Sequence, residues 1–168
     1  MIDWSTKAYM SEPADTDHPP AGRSLPQFLS YRIVKLHQAL NAQASAILEE
    51  KAGITLGQWR IIAMIGTATA QTSRDLAQRS AMDPAFVSRT LRTMEDDGLV
   101  EISRAEHDRR MLVVSLSPKA LRIFEETMPT MQARQQALLD ALDPVEQDVV
   151  FRIIDKLELA AEQRAFEA

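Results

Sequence analysis

The sequence predicts a mainly α-helical fold carrying one small β-hairpin. Three observations lead there. Apolar residues recur at helical spacing through most of the chain, the period changes once to strict alternation near residue 100, and Pro, Gly, Ser, Thr and Asp stand where helices should start and stop. Hydrophobic residues make up 45% of the 168, but aromatics only 5%, so the core must rest on Leu, Ile, Val, Met and Ala.

The elements follow in order. Residues 1–24 are polar, contain Pro13, Pro19 and Pro20, and read as an N-terminal arm without a packing pattern. From Leu25 a long helix is expected, with Leu25, Leu29, Ile33, Leu36, Leu40, Ala44 and Ile47 on one stripe, ending near Ala52–Gly53. Thr55 with Gln58 forms a capping-box pattern for a helix through Trp59, Ile62 and Ile65 that stops near Gly66. Thr72 can cap a short helix around Leu76. After a break at Ser80–Met82, Asp83 and Pro84 supply an N-cap and an N1 proline for a helix carrying Phe86, Val87, Leu91 and Met94, closed by Gly98. Val100 and Ile102, then Leu112, Val114 and Leu116, alternate with polar residues and predict two strands around the charged tip Ala105–Arg110. Ser117–Pro118 opens a further helix, which Pro129 is expected to kink. Asp143–Pro144–Val145–Glu146 opens the last one, with Val149, Val150, Ile153, Ile154 and Leu157.

Two short helices joined by a tight break and followed by a hairpin are the order of a winged helix-turn-helix. The division expected is 1–24 as the arm, 53–117 as the winged lobe, and 25–52 with 118–165 as a helical dimerisation region. A long apolar stripe at the chain's start is often a dimer contact.

Composition narrows function. The chain has no cysteine, which excludes disulfides, thiol chemistry and the usual structural zinc sites. His18, His37 and His107 lack paired ligand spacing, so neither metal nor cofactor is expected. Nothing resembles a secretory leader or a membrane span, and the expected compartment is the cytoplasm. No Ser-His-Asp elbow, glycine-rich phosphate loop or His-Glu metal motif supports an enzyme. The formal net charge is −5, yet residues 74–122 alone carry nine basic and eight acidic side chains. The middle is thus relatively basic, and the acidic remainder would suppress non-specific DNA binding.

A second helix of such a motif enters the major groove with its N-terminal residues toward the bases. Pro84 and Ala85 permit close approach, and Ser88 can donate or accept at a base edge or a phosphate. Arg89 offers the fork that matches guanine O6 and N7, and Arg92, nearly a turn on, is better placed for a phosphate. Ser73 and Arg74, opening the preceding helix, complete the helical candidates. At the hairpin tip Arg104, Asp108, Arg109 and Arg110 cluster. An arginine there can enter a narrow minor groove, with Asp108 orienting Arg110. A solvated charged face and a solvated turn are the alternatives for each feature alone; together in one register they favour double-stranded DNA as partner.

The stretch from Asp83 to Ser117 resembles the MarR (multiple antibiotic resistance regulator) family. The resemblance rests on Gly98-Leu99-Val100 closing the helix, Arg104 closing the first strand, and Asp-x-Arg at Asp108–Arg110 before an alternating strand and a serine cap. It spans roughly residues 28–160. It implies a homodimer with interlocked first and last helices, and a palindromic operator contacted by the wing (Asp108, Arg110) and the recognition helix (Ser88, Arg89, Arg92). It also implies a ligand-responsive repressor. The acidic run Glu95-Asp96-Asp97 departs from that picture and is expected to face away from phosphate. Tyr31-Arg32 with Trp59-Arg60 is similar to regulators of aromatic-acid catabolism. Tyr31, Arg32, His37, Trp59 and Arg60 are therefore the candidate contacts for a small aromatic effector, Arg32 pairing a carboxylate and Trp59 stacking on a ring. A surface arginine and a core tryptophan are the alternative. A winged helix used only for protein contact is the rival to the whole reading.

Overall fold

The structure is a computed structural model that describes residues 24–80, 82–104 and 111–162. The chain separates into two compact units, residues 1–40 and 41–168.

In the first unit, a 3-10 turn at Leu25–Gln27 precedes helix α1 (Leu29–Ala52), whose first half belongs to this unit. The single helix expected from Leu25 is therefore interrupted. Ser24 and Gln27 form a reciprocal capping box, and Phe28 leaves that turn in an extended conformation. Leu29, Ile33 and Leu36, on the expected stripe, are 56%, 47% and 59% exposed.

The second unit holds the rest of α1, then α2 (Leu56–Gly66), α3 (Ser73–Arg79), α4 (Pro84–Asp96), β1 (Val100–Arg104), β2 (Leu112–Leu116), α5 (Pro118–Leu139) and α6 (Pro144–Ala161). Side chains fix the helix starts as the sequence implies. The hydroxyl of Thr55 accepts from Gln58 N, that of Thr72 from Asp75 N, and that of Ser117 from Ala120 N, while the Asp143 carboxylate accepts from Val145 N and Glu146 N. Each satisfies a backbone donor that the first helical turn leaves unpaired, a contribution of about 1 kcal/mol. At the end of α4, Gly98 adopts φ 65°, Leu99 N bonds to Met94 O at 2.8 Å and Gly98 N to Glu95 O at 3.0 Å. This is the glycine-terminated C-cap in which a left-handed residue turns the chain into β1. Pro129 does not interrupt α5, which runs unbroken through it.

The two strands pair antiparallel, with Val100 opposite Leu116, Ile102 opposite Val114 and Arg104 opposite Leu112. A further bridge joins Thr72 to Val113, and Val114 N donates to Gln71 O at 2.8 Å. The hairpin is thereby tied to the residue that caps α3. The core gathers Leu48, Trp59, Ile61, Ile62, Leu76, Val87, Leu91, Met94, Val100 and Val114 around α2. Helix α6 buries no residue, and its Phe151, Ile153 and Ile154 are 54%, 52% and 44% exposed.

Candidate nucleic-acid interface

The interface is set by how α4 is anchored. The Asp83 carboxylate accepts from Phe86 N at 3.0 Å, and Pro84 occupies the first turn, where its missing N–H costs nothing. Val87, Leu91 and Met94 are 1%, 4% and 0% exposed. Their spacing of four and three puts them on one side of the helix, so they fix its rotation against the core. Ala85, Ser88, Arg89 and Arg92 are all exposed on the remaining surface. Two threonines on the flank are engaged with their own helix: Thr90 donates to Phe86 O at 2.9 Å and Thr93 to Arg89 O at 3.3 Å.

The candidates fall into two neighbouring clefts. Ser73 and Arg74 of α3 join Pro84, Ser88 and Arg92 of α4 along a cleft of about 420 Å³ whose far wall is Ile102 and Leu112 of the hairpin. Residues distant in sequence thus meet in one groove between helix pair and wing. Arg89 lies on the other flank, along a cleft of about 530 Å³ formed with Ser45, Thr55, Gly57 and Phe86. Arg104 ends β1, exposed. Asp108, Arg109 and Arg110 lie outside the described residues.

Three features depart from the sequence reading. Phe86, expected on the buried side of α4, is 43% exposed, because it sits a quarter turn away from the Val87–Leu91–Met94 spine. Glu95, expected to face away from phosphate, lines the same groove as Arg92, since positions 88, 92 and 95 share one helical face. It lies at the end of α4 remote from Pro84, about 16 Å along the axis, while Asp97 turns its carbonyl to the Lys119 ammonium at 3.2 Å. The Gln71–Thr72 link to β2 has no counterpart in the sequence pattern. Two residues are too few for alternation to register, and Thr72 already carries a cap signal.

The effector candidates occupy both units. Tyr31 is half-buried, and Arg32 and His37 are exposed, on the first half of α1. In the second unit Trp59 is 5% exposed and stacks on Phe124, with ring centroids 6.3 Å apart and planes at 23°. Arg60 is half-buried and donates from Nη2 to the Asn41 side-chain carbonyl at 3.2 Å. Among the described residues no group of three metal-ligating side chains comes together, and no helix is long and apolar enough to cross a membrane.

The fold is similar to that of known proteins. The MarR family sequence model matches residues 52–111, from the end of α1 to the residue before β2. The HTH-type transcriptional regulator BilQ of Clostridium symbiosum is 28% identical over 108 residues, covering 64% of this chain and 75% of that protein. Among solved structures, a MarR/EmrR family regulator from Acinetobacter sp. ADP1 superposes with a TM-score of 0.76 at 23% identity, covering 84% of this chain and 99% of that one. MepR of Staphylococcus aureus, solved bound to DNA, gives 0.73 at 19% identity, with coverage of 79% and 98%. BpsR of Bordetella bronchiseptica, whose DNA binding is regulated by 6-hydroxynicotinic acid, gives 0.60 at 21% identity, with coverage of 76% and 98%.

Proposed function

We propose that this chain, whose residues 52–111 match the MarR family model, is a transcriptional regulator of that family rather than an enzyme: a cytoplasmic, homodimeric repressor that holds a palindromic operator and releases it on binding a small aromatic effector. The observation that carries the reading is the presentation of α4: a rigid buried spine at Val87, Leu91 and Met94 behind an open face of Ala85, Ser88, Arg89 and Arg92.

In this reading α4 enters the major groove, Arg89 contacts a guanine edge, and Arg92 with Ser73 and Arg74 grips phosphates. Arg104, Asp108, Arg109 and Arg110 serve the adjacent minor groove. Two copies are needed because half-sites on one face of the duplex lie about 34 Å apart. The exposed apolar residues of α1 (Leu29, Ile33, Leu36) and of α6 (Phe151, Ile153, Ile154) support a dimer built from the chain's two ends.

The effector part rests on Arg32 and on the likeness to BpsR, whose regulator is an aromatic carboxylate. Arg32 can pair a carboxylate bidentately, with Tyr31 and His37 on the same helix as further contacts. Trp59 and Arg60, already engaged with Phe124 and Asn41, are the remaining candidate contacts.

The test is selection from a randomised duplex pool, followed by titration of the recovered site against salt. A dyad-symmetric site whose affinity falls steeply with ionic strength is expected, because phosphate contacts release counterions. No enrichment at low salt would make a protein-contact role the leading account.

A further inference from the structure

Helix α2 holds two of the chain's five glycines, Gly57 in its first turn and Gly66 at its last residue. Glycine is a poor helix former, so two in an 11-residue helix need a reason. Backbone conformation does not provide one: positive φ occurs among the described glycines only at Gly53 and Gly98. Space does. A Cβ on Gly57 would stand 2.9 and 3.0 Å from two ring carbons of Phe86, and a Cβ on Gly66 would stand 2.7–2.9 Å from three ring carbons of Phe124. Each end of α2 is therefore a floor without a side chain on which a neighbouring helix rests an aromatic ring, Phe86 from α4 and Phe124 from α5.

The two seats differ. Phe124 is partly buried, packs on the core and stacks on the buried Trp59 ring. Phe86 is 43% exposed and contributes little to the core, yet it lies next to Ala85 and three residues before Arg89. A ring that is cheap to lose as core, resting on a costly glycine, is placed to set the standing of α4.

We propose that Gly57 and Gly66 make α2 a spacer with a ring seat at each end, fixing the recognition helix against α5, with Phe86 and Phe124 as positioning residues. This rests on the operator-reading role given to α4 above. Restoring normal contact to a Cβ at 57 takes about 0.5–1 Å, divided between the exposed Phe86 ring and the first turn of α4 that carries it. In a dimer that movement occurs in both recognition helices.

The test compares wild type, Gly57→Ala, Phe86→Leu and the double variant on the selected operator and on versions with the half-site separation changed by one base pair. Thermal melting reports folding in parallel. The expected result is a folded Gly57→Ala protein that loses about tenfold in operator affinity, the scale of one base-edge contact. Its preference for the native separation should also fall. The double variant should recover to within about threefold, the signature of coupled neighbours. Gly66→Ala should lower the melting temperature more than Gly57→Ala. A purely structural role would reduce the folded fraction and leave the ranking of separations intact, and that result overturns the proposal. So does a Gly57→Ala protein that binds as wild type, or a double variant no better than the single. A wild-type protein that retains no DNA refutes the operator reading itself, which separates that failure from failure of the ring seats.

Discussion

Replacing Arg89 and Arg92 one at a time by alanine separates two roles that α4 assigns to similar side chains. Positions 89 and 92 are separated by about 4.5 Å along the helix axis and by about 60° around it. Arg92 faces the groove with Ser73 and Arg74, and Arg89 lies on the opposite flank beside Phe86. Both are exposed and neither supports the buried spine, so either variant should melt close to wild type. Loss of a bidentate guanine contact is worth about 1–3 kcal/mol per half-site. For Arg89→Ala that is about 5- to 150-fold per half-site, concentrated on the correct sequence and nearly absent on a scrambled duplex. Arg92→Ala should weaken both duplexes alike. It should also reduce the slope of log affinity against log salt by about 1.8 for a dimer, about 0.9 for each phosphate released. Fluorescence anisotropy on the selected operator and its scrambled version, over a range of salt, reads both effects. The reasoning is refuted if Arg89→Ala weakens both duplexes equally, or if Arg92→Ala changes specificity without changing the salt slope.

Other outcomes follow from the same geometry. Asp83→Ala removes the acceptor for Phe86 N and should cost about 1 kcal/mol in chemical denaturation, whereas Leu76→Ala, from a fully buried position on α3, should cost about 2–5 kcal/mol; an inverted order would mean the core is misassigned. Phe151→Glu combined with Ile154→Glu, on the exposed apolar side of α6, should turn a dimer into a monomer in sedimentation and weaken operator binding, and an unchanged mass would remove α6 from the interface. Arg32→Ala should leave operator binding intact while abolishing release by an aromatic acid such as 6-hydroxynicotinic acid. Retained release excludes Arg32 as the carboxylate partner. Arg110→Ala, on the sequence pattern of the wing, should weaken DNA binding with an unaltered melting temperature; unchanged affinity would sink the wing assignment.

Much of the fold was legible because the signals are local. A cap needs only a Ser, Thr or Asp a few residues from its amide, and Thr55, Thr72, Asp83, Ser117 and Asp143 all cap as expected. The Val87–Leu91–Met94 spine and the Gly98 turn are equally short-range. What escaped depends on contacts between distant segments. The bridge from Thr72 to Val113 joins residues 41 positions apart and leaves no periodic trace. In the sequence Trp59 reads either as a ligand contact or as core, and its stack on Phe124 is a contact between distant segments that leaves no local signal. Phe86 looked like core because it is apolar and adjacent to Val87, but one residue around a helix is 100°. Likewise Glu95 reads as part of an acidic run, and only the packing of α4 against the wing reveals that it shares Arg92's groove.

The central claim is that α4 reads base edges in the major groove, and methylation interference on the selected operator tests it most directly. Dimethyl sulfate marks guanine N7, which lies in the major groove, and adenine N3, which lies in the minor groove. The account predicts that N7 methylation at a symmetric guanine in each half-site, about one helical turn apart, blocks wild-type binding, and that Arg89→Ala loses sensitivity at those guanines. Interference confined to adenine N3, or an Arg89→Ala pattern identical to wild type, would contradict it.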